Sequence, residues 1–295
     1  LHLDPESHRL PDEAAPVSVN ESLLLVHIEP VEDPAQRSAI LAEIDGTLTE
    51  VYRATRSWRT MLERVRRVVE DWKLNPPRAP APAIQEAKEF LGWLAEHNFT
   101  FLGMREYRLD GEGKDAKFVP LVTSGIGILE DKDFHFLRAG TDYVEMTEQH
   151  LQFIADPDPL MVTKANVRTR VHRRGAHMDY VGVKLYREGG EVQGELRIIG
   201  LFTSVALATP HTEVPLIRRK VSEVMRRWAY PAGSHASKAL LAALESYPRD
   251  ELFQISEDQL FAFAKEIAAL ADRPRVRVLP RIDRFDNFVS VLVYV

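Results

Sequence analysis

Cysteine is absent from all 295 residues. Its absence excludes disulfides, thiolate nucleophiles and every cysteine-based zinc or iron–sulfur site, and a reducing cytoplasm suits such a chain. No apolar run is long enough to span a bilayer and no basic-then-apolar leader opens the chain, so the sequence predicts a soluble protein with no membrane partner. Positive charge is not in excess either: the formal net charge of -6 gives no general attraction for nucleic acid. Nucleotide motifs are missing. "SGIGILED" supplies Gly125 and Gly127 without the third glycine or a strand–helix frame, which leaves a tight turn as its reading, and no GKS or GKT phosphate loop occurs. HExxH and GxSxG are also lacking, and Ser124, Ser204 and Ser234 show no triad spacing.

What is present is an ordinary folded composition, 45% hydrophobic and 28% charged, in a chain long enough for two domains or three small ones. The chain opens on Leu1 in place of methionine and stops inside the apolar "FVSVLVYV", so it reads as an excerpt of a longer protein. "SLLLVHI" at 22–28 is expected to form a strand. Apolar residues at three-to-four spacing then predict two helices, one around Ile40, Ile44, Leu48 and Val51, the other from Trp58 to Trp72. "NPPRAPAPA" at 75–83 forces extended backbone and is the clearest linker.

A helix from Ile84 leads into a strand at "HNFTFLGMREYRL", interrupted near Gly103, and short strands follow at 117–122, 161–163, 179–186 and 195–204. This order predicts a mixed α+β domain with an antiparallel sheet over about 84–205. Beyond Pro215, helices are expected around Ile217–Trp228, after a Ser234 cap, and after Ser256, which has capping-box spacing to Gln259; two strands close the chain. "SYPRDELFQI" falls at a helix-to-helix connection, where a proline stop, charges and an apolar plug require no catalysis.

Candidate chemistry is sparse. His172 and His177 lie near Asp179, but Arg173 and Arg174 disfavour a bound cation, and a surface turn is the plainer reading. Lys184 sits in a strand-like setting where a lysine can meet an anion but is more often solvated. Glu245, Asp250 and Glu251 suit helix-end capping or surface pairing, and Arg249 suits an interface. The basic runs "RVRRVV" and "LIRRK" read as solvated helix faces. No residue is assigned a catalytic, cofactor or metal role.

Several stretches together carry a family resemblance: "FLGWLAEHNFTFLGMREY" (90–107), "VTKANVRTRVHRRGAHMDYVGVKLY" (162–186), "GLFTSVAL" (200–207), "VPLIRRKV" (214–221), "SHASKALLAALESYPRDELFQ" (234–254) and "RFDNFVSVLVYV" (284–295). In wording, order and spacing the chain resembles the N-terminal region of the very large bacterial NAD-specific glutamate dehydrogenases. The match runs residue by residue through Phe99, Phe101, Gly103, Arg105, Glu106 and Tyr107, and through Tyr247 to Phe253. It implies a parent enzyme that oxidises L-glutamate with NAD to 2-oxoglutarate and ammonia in amino-acid catabolism, cytoplasmic and homotetrameric. It also implies that this portion is regulatory and noncatalytic, an incomplete ACT-like unit at 1–75, a linker at 76–83, a PAS-like domain at 84–205 and a truncated ACT-like module at 206–295. NAD and the catalytic domains would then lie elsewhere in the parent, with a regulatory amino acid as candidate ligand; a pure scaffold is the alternative. One departure is "RFDNF", where the family often shows a glycine and an arginine; Asp286 and Asn287 can still build a turn.

Overall fold

The structure, a computed structural model, describes residues 23–111, 113, 116–131, 148–284 and 288–294, with the short strands at 2–3, 19–20 and 144–145. Two compact units divide at Gly46. In the first, β1 (His2–Leu3) pairs antiparallel with β2 (Val19–Asn20). Residues 23–33 form neither helix nor strand, so the strand expected at 22–28 does not appear over its described residues. Leu23, Leu24, Leu25, Val26 and Ile28 are exposed. β-propensity measures fit to a half-buried sheet surface, and among the described residues no strand pairs with this run to supply one.

Where two helices were expected there is one, α1 (Pro34–Leu74), begun by Asp33, whose carboxylate accepts the Ala35 N–H at 2.9 Å. Gly46 lies within its range, a single glycine costing a helix only about 1 kcal/mol. In the second unit, Ala54, Ser57, Met61, Val65, Val68 and Trp72 repeat every three or four residues and are buried. The linker is shorter than the sequence suggested. α2 (Ala81–Trp93) starts three residues before Ile84, because Pro82 sits in the first turn, where a missing N–H breaks no bond.

After a π-turn at Leu94–Asn98 comes β3 (Phe99–Asp110), then β4 (Lys117–Pro120), β5 (Ile126–Gly127), β6 (Val144–Glu145), α3 (Glu148–Ala155), β7 (Leu160–Arg168), β8 (His177–Tyr186) and β9 (Val192–Phe202). These strands make a seven-stranded antiparallel sheet ordered β6-β4-β3-β9-β8-β7, with β5 on β3. Register shifts at Phe101/Gly103, Lys164/Arg168 and Leu185/Tyr186 curl it. The first is the interruption expected near Gly103, where a Cβ would lie 2.9 Å from the Leu129 nitrogen. α3 was not foreseen.

One face of the sheet packs Leu196, Ile198, Val181 and Val183 against α1 and α2; the other carries a second core including Tyr107, Phe118, Phe153 and Tyr180. The chain then forms α4 (Ser204–Ala208), α5 (Ile217–Trp228), α6 (His235–Ser246), α7 (Arg249–Gln254) and α8 (Glu257–Ala268), followed by the antiparallel pair β10 (Arg277–Ile282) and β11 (Val289–Tyr294). Ser234 and Ser256 cap α6 and α8 as expected, accepting the N–H groups of Ser237 and Gln259 at 3.2 and 3.3 Å. The turn expected at Asp286 and Asn287 lies outside the described residues.

Trp72 ties α1 to the sheet. Its ring is 2% exposed, meets Tyr186 edge-on at 6.3 Å, and its indole N–H donates to the Lys184 carbonyl at 3.2 Å. Trp72→Ala is expected to lower unfolding free energy by about 3–5 kcal/mol, and Trp72→Phe by about 1 kcal/mol for the lost hydrogen bond, both measured by urea denaturation.

Candidate ligand groove and its junction

The stretch from Tyr247 to Ile255 connects α6 to α8, but it is a structural element in its own right. Tyr247 is buried in the helical core, Pro248 precedes the six-residue α7, and Asp250 and Glu251 occupy its first turn, where acids complement the helix dipole. The charged side chains Arg249, Asp250 and Glu251 each reach a different neighbour. Arg249 donates to the carbonyls of Thr209 (2.9 Å), Glu245 (3.1 Å) and Tyr247 (3.2 Å), and its guanidinium also pairs with the Glu245 carboxylate. Asp250 lies 3.5 Å from Lys164 of β7, whose ammonium also holds Asp179 of β8 at 2.5 Å. Glu251 receives Nε and Nη2 of Arg281 on β10 at 2.9 and 2.7 Å. Phe253 then enters an aromatic cluster, stacking on Phe202 at 4.7 Å and tilting against Phe90 at 5.5 Å.

The end of α7 is closed by Lys220 of α5. Its ammonium donates to the carbonyls of Leu252 (2.7 Å), Phe253 (3.1 Å) and Ile255 (2.6 Å), the groups a helix end leaves unmatched. Burial is the main force that moves this lysine, and it brings the amine down to about 8. Leu216, just before α5, has φ 69°, a left-handed conformation that is strained for leucine. It is held there by Glu86, which accepts the Leu216 N–H at 2.9 Å while also bonding Arg218 Nε at 2.9 Å.

These elements wall a cavity of about 670 Å³ between the β7 edge, α5, α7, the start of α8 and β10. Its lining is of both signs: Arg219, Lys220, Arg281 and Arg284 face Asp156, Asp158, Glu257 and Asp258, with Leu160, Phe253 and Ile255 between. Arg219 and Asp158 are 3.5 Å apart, and Arg284 and Asp156 are 3.7 Å apart. Both pairs are partly exposed. Such a groove can pair an ammonium and a carboxylate of one small molecule while giving its side chain an apolar bed.

The residues singled out in the sequence are dispersed. His172 lies in a turn with φ 64° and lines a separate, mostly apolar cavity of about 510 Å³. His177 lies 3.2 Å from the Ala165 carbonyl, and Asp179 is buried against Lys164; no metal-holding group of three or more such side chains exists among the described residues. Gly125 and Gly127 form the tight turn expected: a Cβ would meet the Leu129 and Leu102 carbonyl oxygens at 2.2 Å. Ser124 bonds within that turn, Ser204 begins α4 and Ser234 caps α6.

Three sequence expectations are corrected. Lys184 is not solvated but 2% exposed, its ammonium on the Asp156 carbonyl and over the Phe153 ring at 4.6 Å. Glu251 is no surface partner, being buried with Arg281, because the junction folds beneath the β10–β11 hairpin. "LIRRK" is not a solvated face: Arg218 binds Glu86 and Glu89 of α2, and Lys220 closes α7. Of the arginines that contribute to the groove, Arg281 had no motif around it, while Arg219 lay in "LIRRK" and Arg284 in "RFDNF", neither of which was read as a site.

A curled antiparallel sheet beside a helical layer, with a groove of mixed charge between them, places the chain among α+β proteins. Comparison with known proteins is more specific. Residues 214–273, spanning α5 to α8, match the family described as "Glutamate dehydrogenase, helical motif 1". The chain is 32% identical over 297 residues to the NAD-specific glutamate dehydrogenase of Halomonas elongata, an alignment covering 98% of this chain and 18% of that protein. It is 32% identical to that of Pseudomonas aeruginosa, over 93% of this chain and 17% of the relative. For Mycobacterium tuberculosis the identity is 26%, over 94% and 16%. The chain is therefore homologous to NAD-specific glutamate dehydrogenases over most of its length, and it spans less than a fifth of the length of these curated relatives.

Two predictions follow from the junction. Glu251→Gln leaves Arg281 buried without its counter-charge and is expected to destabilise by about 3–5 kcal/mol; a Glu251→Leu, Arg281→Met double variant should recover most of that loss in urea denaturation. Lys220 gives up its proton near pH 8 in the folded chain but only near 10.5 in the unfolded chain, so between about 8 and 10.5 the unfolded chain binds more protons. Stability attributable to Lys220 should therefore rise with pH across that window, and NMR titration of its side chain should show a midpoint near 8.

Proposed function

We propose that this chain is a noncatalytic regulatory region of an NAD-dependent glutamate dehydrogenase, whose whole protein oxidises L-glutamate to 2-oxoglutarate and ammonia in the cytoplasm. The observation that carries this reading is homology to three such dehydrogenases over at least 93% of the chain. On the same reading the sheet of 84–205 is a PAS-like domain, 206–295 an ACT-like module, 1–75 part of a further ACT-like unit, and 76–83 the linker. NAD and the dehydrogenase chemistry belong to the rest of the parent.

The groove supplies a physical basis for regulation. Its mixed-sign lining suits an amino acid, and its walls come from both the sheet and the helical layer. An amino acid bound there regulates only insofar as its affinity differs between arrangements of those walls. A second reading, assembly of subunits without sensing, is favoured by one observation: β10 and β11 expose Val278, Ile282, Val289, Val291 and Val293 on one face.

Calorimetric titration with glutamate, aspartate and arginine, with NAD as control, separates the readings. Sensing predicts saturable binding of at least one amino acid and none of NAD, with affinity falling tenfold or more in Arg219→Ala or Asp158→Asn. Silence across the panel, with concentration-dependent self-association, would instead support the scaffold; saturable NAD binding would contradict both.

A further inference from the structure

The apolar cavity of about 510 Å³ that His172 borders shares no lining residue with the mixed-charge groove. Its walls are Val51 and Trp58 of α1, the start of β3 from Phe99 to Leu102, and the turns that carry His97 and His172. No aspartate, glutamate, lysine or arginine lines it among the described residues. A charged ligand would lose its hydration there without gaining a counter-charge, so the lining selects a neutral one. Val51 and Trp58 are 39% and 46% exposed, large apolar side chains left open on one wall.

The two histidines sit on unusual backbone. Among the described residues four non-glycine residues have positive φ, and two of them, His97 (67°) and His172 (64°), line this one cavity. Such backbone is costly for a residue with a side chain and persists only where neighbours fix it. The end of β9 fixes both turns. The Thr203 hydroxyl donates to the His97 carbonyl at 3.3 Å and its N–H to the Asn98 carbonyl at 3.0 Å, while Arg173, next to His172, donates to the Phe202 carbonyl at 3.0 Å. Thr169 closes the second turn, its hydroxyl donating to the Val171 carbonyl at 2.6 Å and accepting the Val171 N–H at 3.0 Å. Two polar rings are thus anchored at the rim of an apolar space before any ligand arrives. Turn geometry alone does not account for the open Val51 and Trp58 on the facing helix.

We propose that this cavity binds a small neutral aromatic molecule, its ring among Trp58, Phe99 and Phe101 and its hydrogen-bonding group toward the imidazoles of His97 and His172. Aromatic walls favour an aromatic guest, and a preformed apolar cavity of this size with a few polar groups at one edge is how small-molecule sites are built. The proposal does not rest on the groove, whose lining suits a charged amino acid.

The test is calorimetric titration of the purified chain with indole, and separately with benzoate as an anion of similar shape. Saturable binding of indole is expected, with benzoate bound at least tenfold more weakly. Trp58→Ala, at an exposed position that should leave folding intact, is expected to weaken indole binding about tenfold. His172→Gly keeps the turn, because glycine adopts left-handed backbone freely, and should weaken it about fivefold through one lost hydrogen bond. The proposal is overturned if indole does not saturate, if benzoate binds as tightly, or if Trp58→Ala binds indole like the parent sequence. It is also overturned if sedimentation shows a dimer that Trp58→Ala dissolves and indole does not, since a second copy would then cover this wall.

Discussion

Phe253 is the side chain on which the joint between sheet and helices depends. It belongs to the fringe of both the sheet core and the helical core, as does Trp93, and with Phe90 and Phe202 these four rings form one continuous aromatic contact. Aromatic pairs contribute about 0.5–1.5 kcal/mol each beyond the apolar area they bury. The short α7 exists to place that ring: two acids start it, Lys220 ends it, and Arg281 and Lys164 fix it to the hairpin and to β7.

The groove is a by-product of this joint. A six-residue helix that inserts one aromatic side chain cannot fill the space along the β7 edge, and the charged residues that orient it line what is left. The same residues seat α7 and line the groove: Lys220 and Arg281 both hold α7 and face the cavity. A ligand that competes for them changes how firmly the helical layer is seated. On the proposed reading, that is how binding in the groove would regulate the parent protein.

Much of the fold was legible because it rests on local rules. Ser234 and Ser256 mark helix starts, apolar spacing marks α5 and α8, and strand-like runs locate β7, β8 and β9. What escaped depends on distance in sequence. Lys184 reads as a solvated strand lysine until α3 and the Asp156 carbonyl fold over it. Glu251 meets Arg281 thirty positions away, and Arg218 meets Glu86 across 132. The run at 23–28 misled in the opposite sense, since its composition suits a strand but pairing decides. Family resemblance, carried by whole phrases such as "SHASKALLAALESYPRDELFQ", pointed to the dehydrogenase relatives where no single residue could.

Native-state hydrogen exchange on Phe253→Ala tests the joint most directly. If α7 couples the layers, amides of α5 to α8 should open at lower free energy than those of β8 and β9, with the gap widening relative to the parent sequence. If both sets lose protection equally, or neither changes, the layers are held together by something other than Phe253 and the account of the joint is wrong.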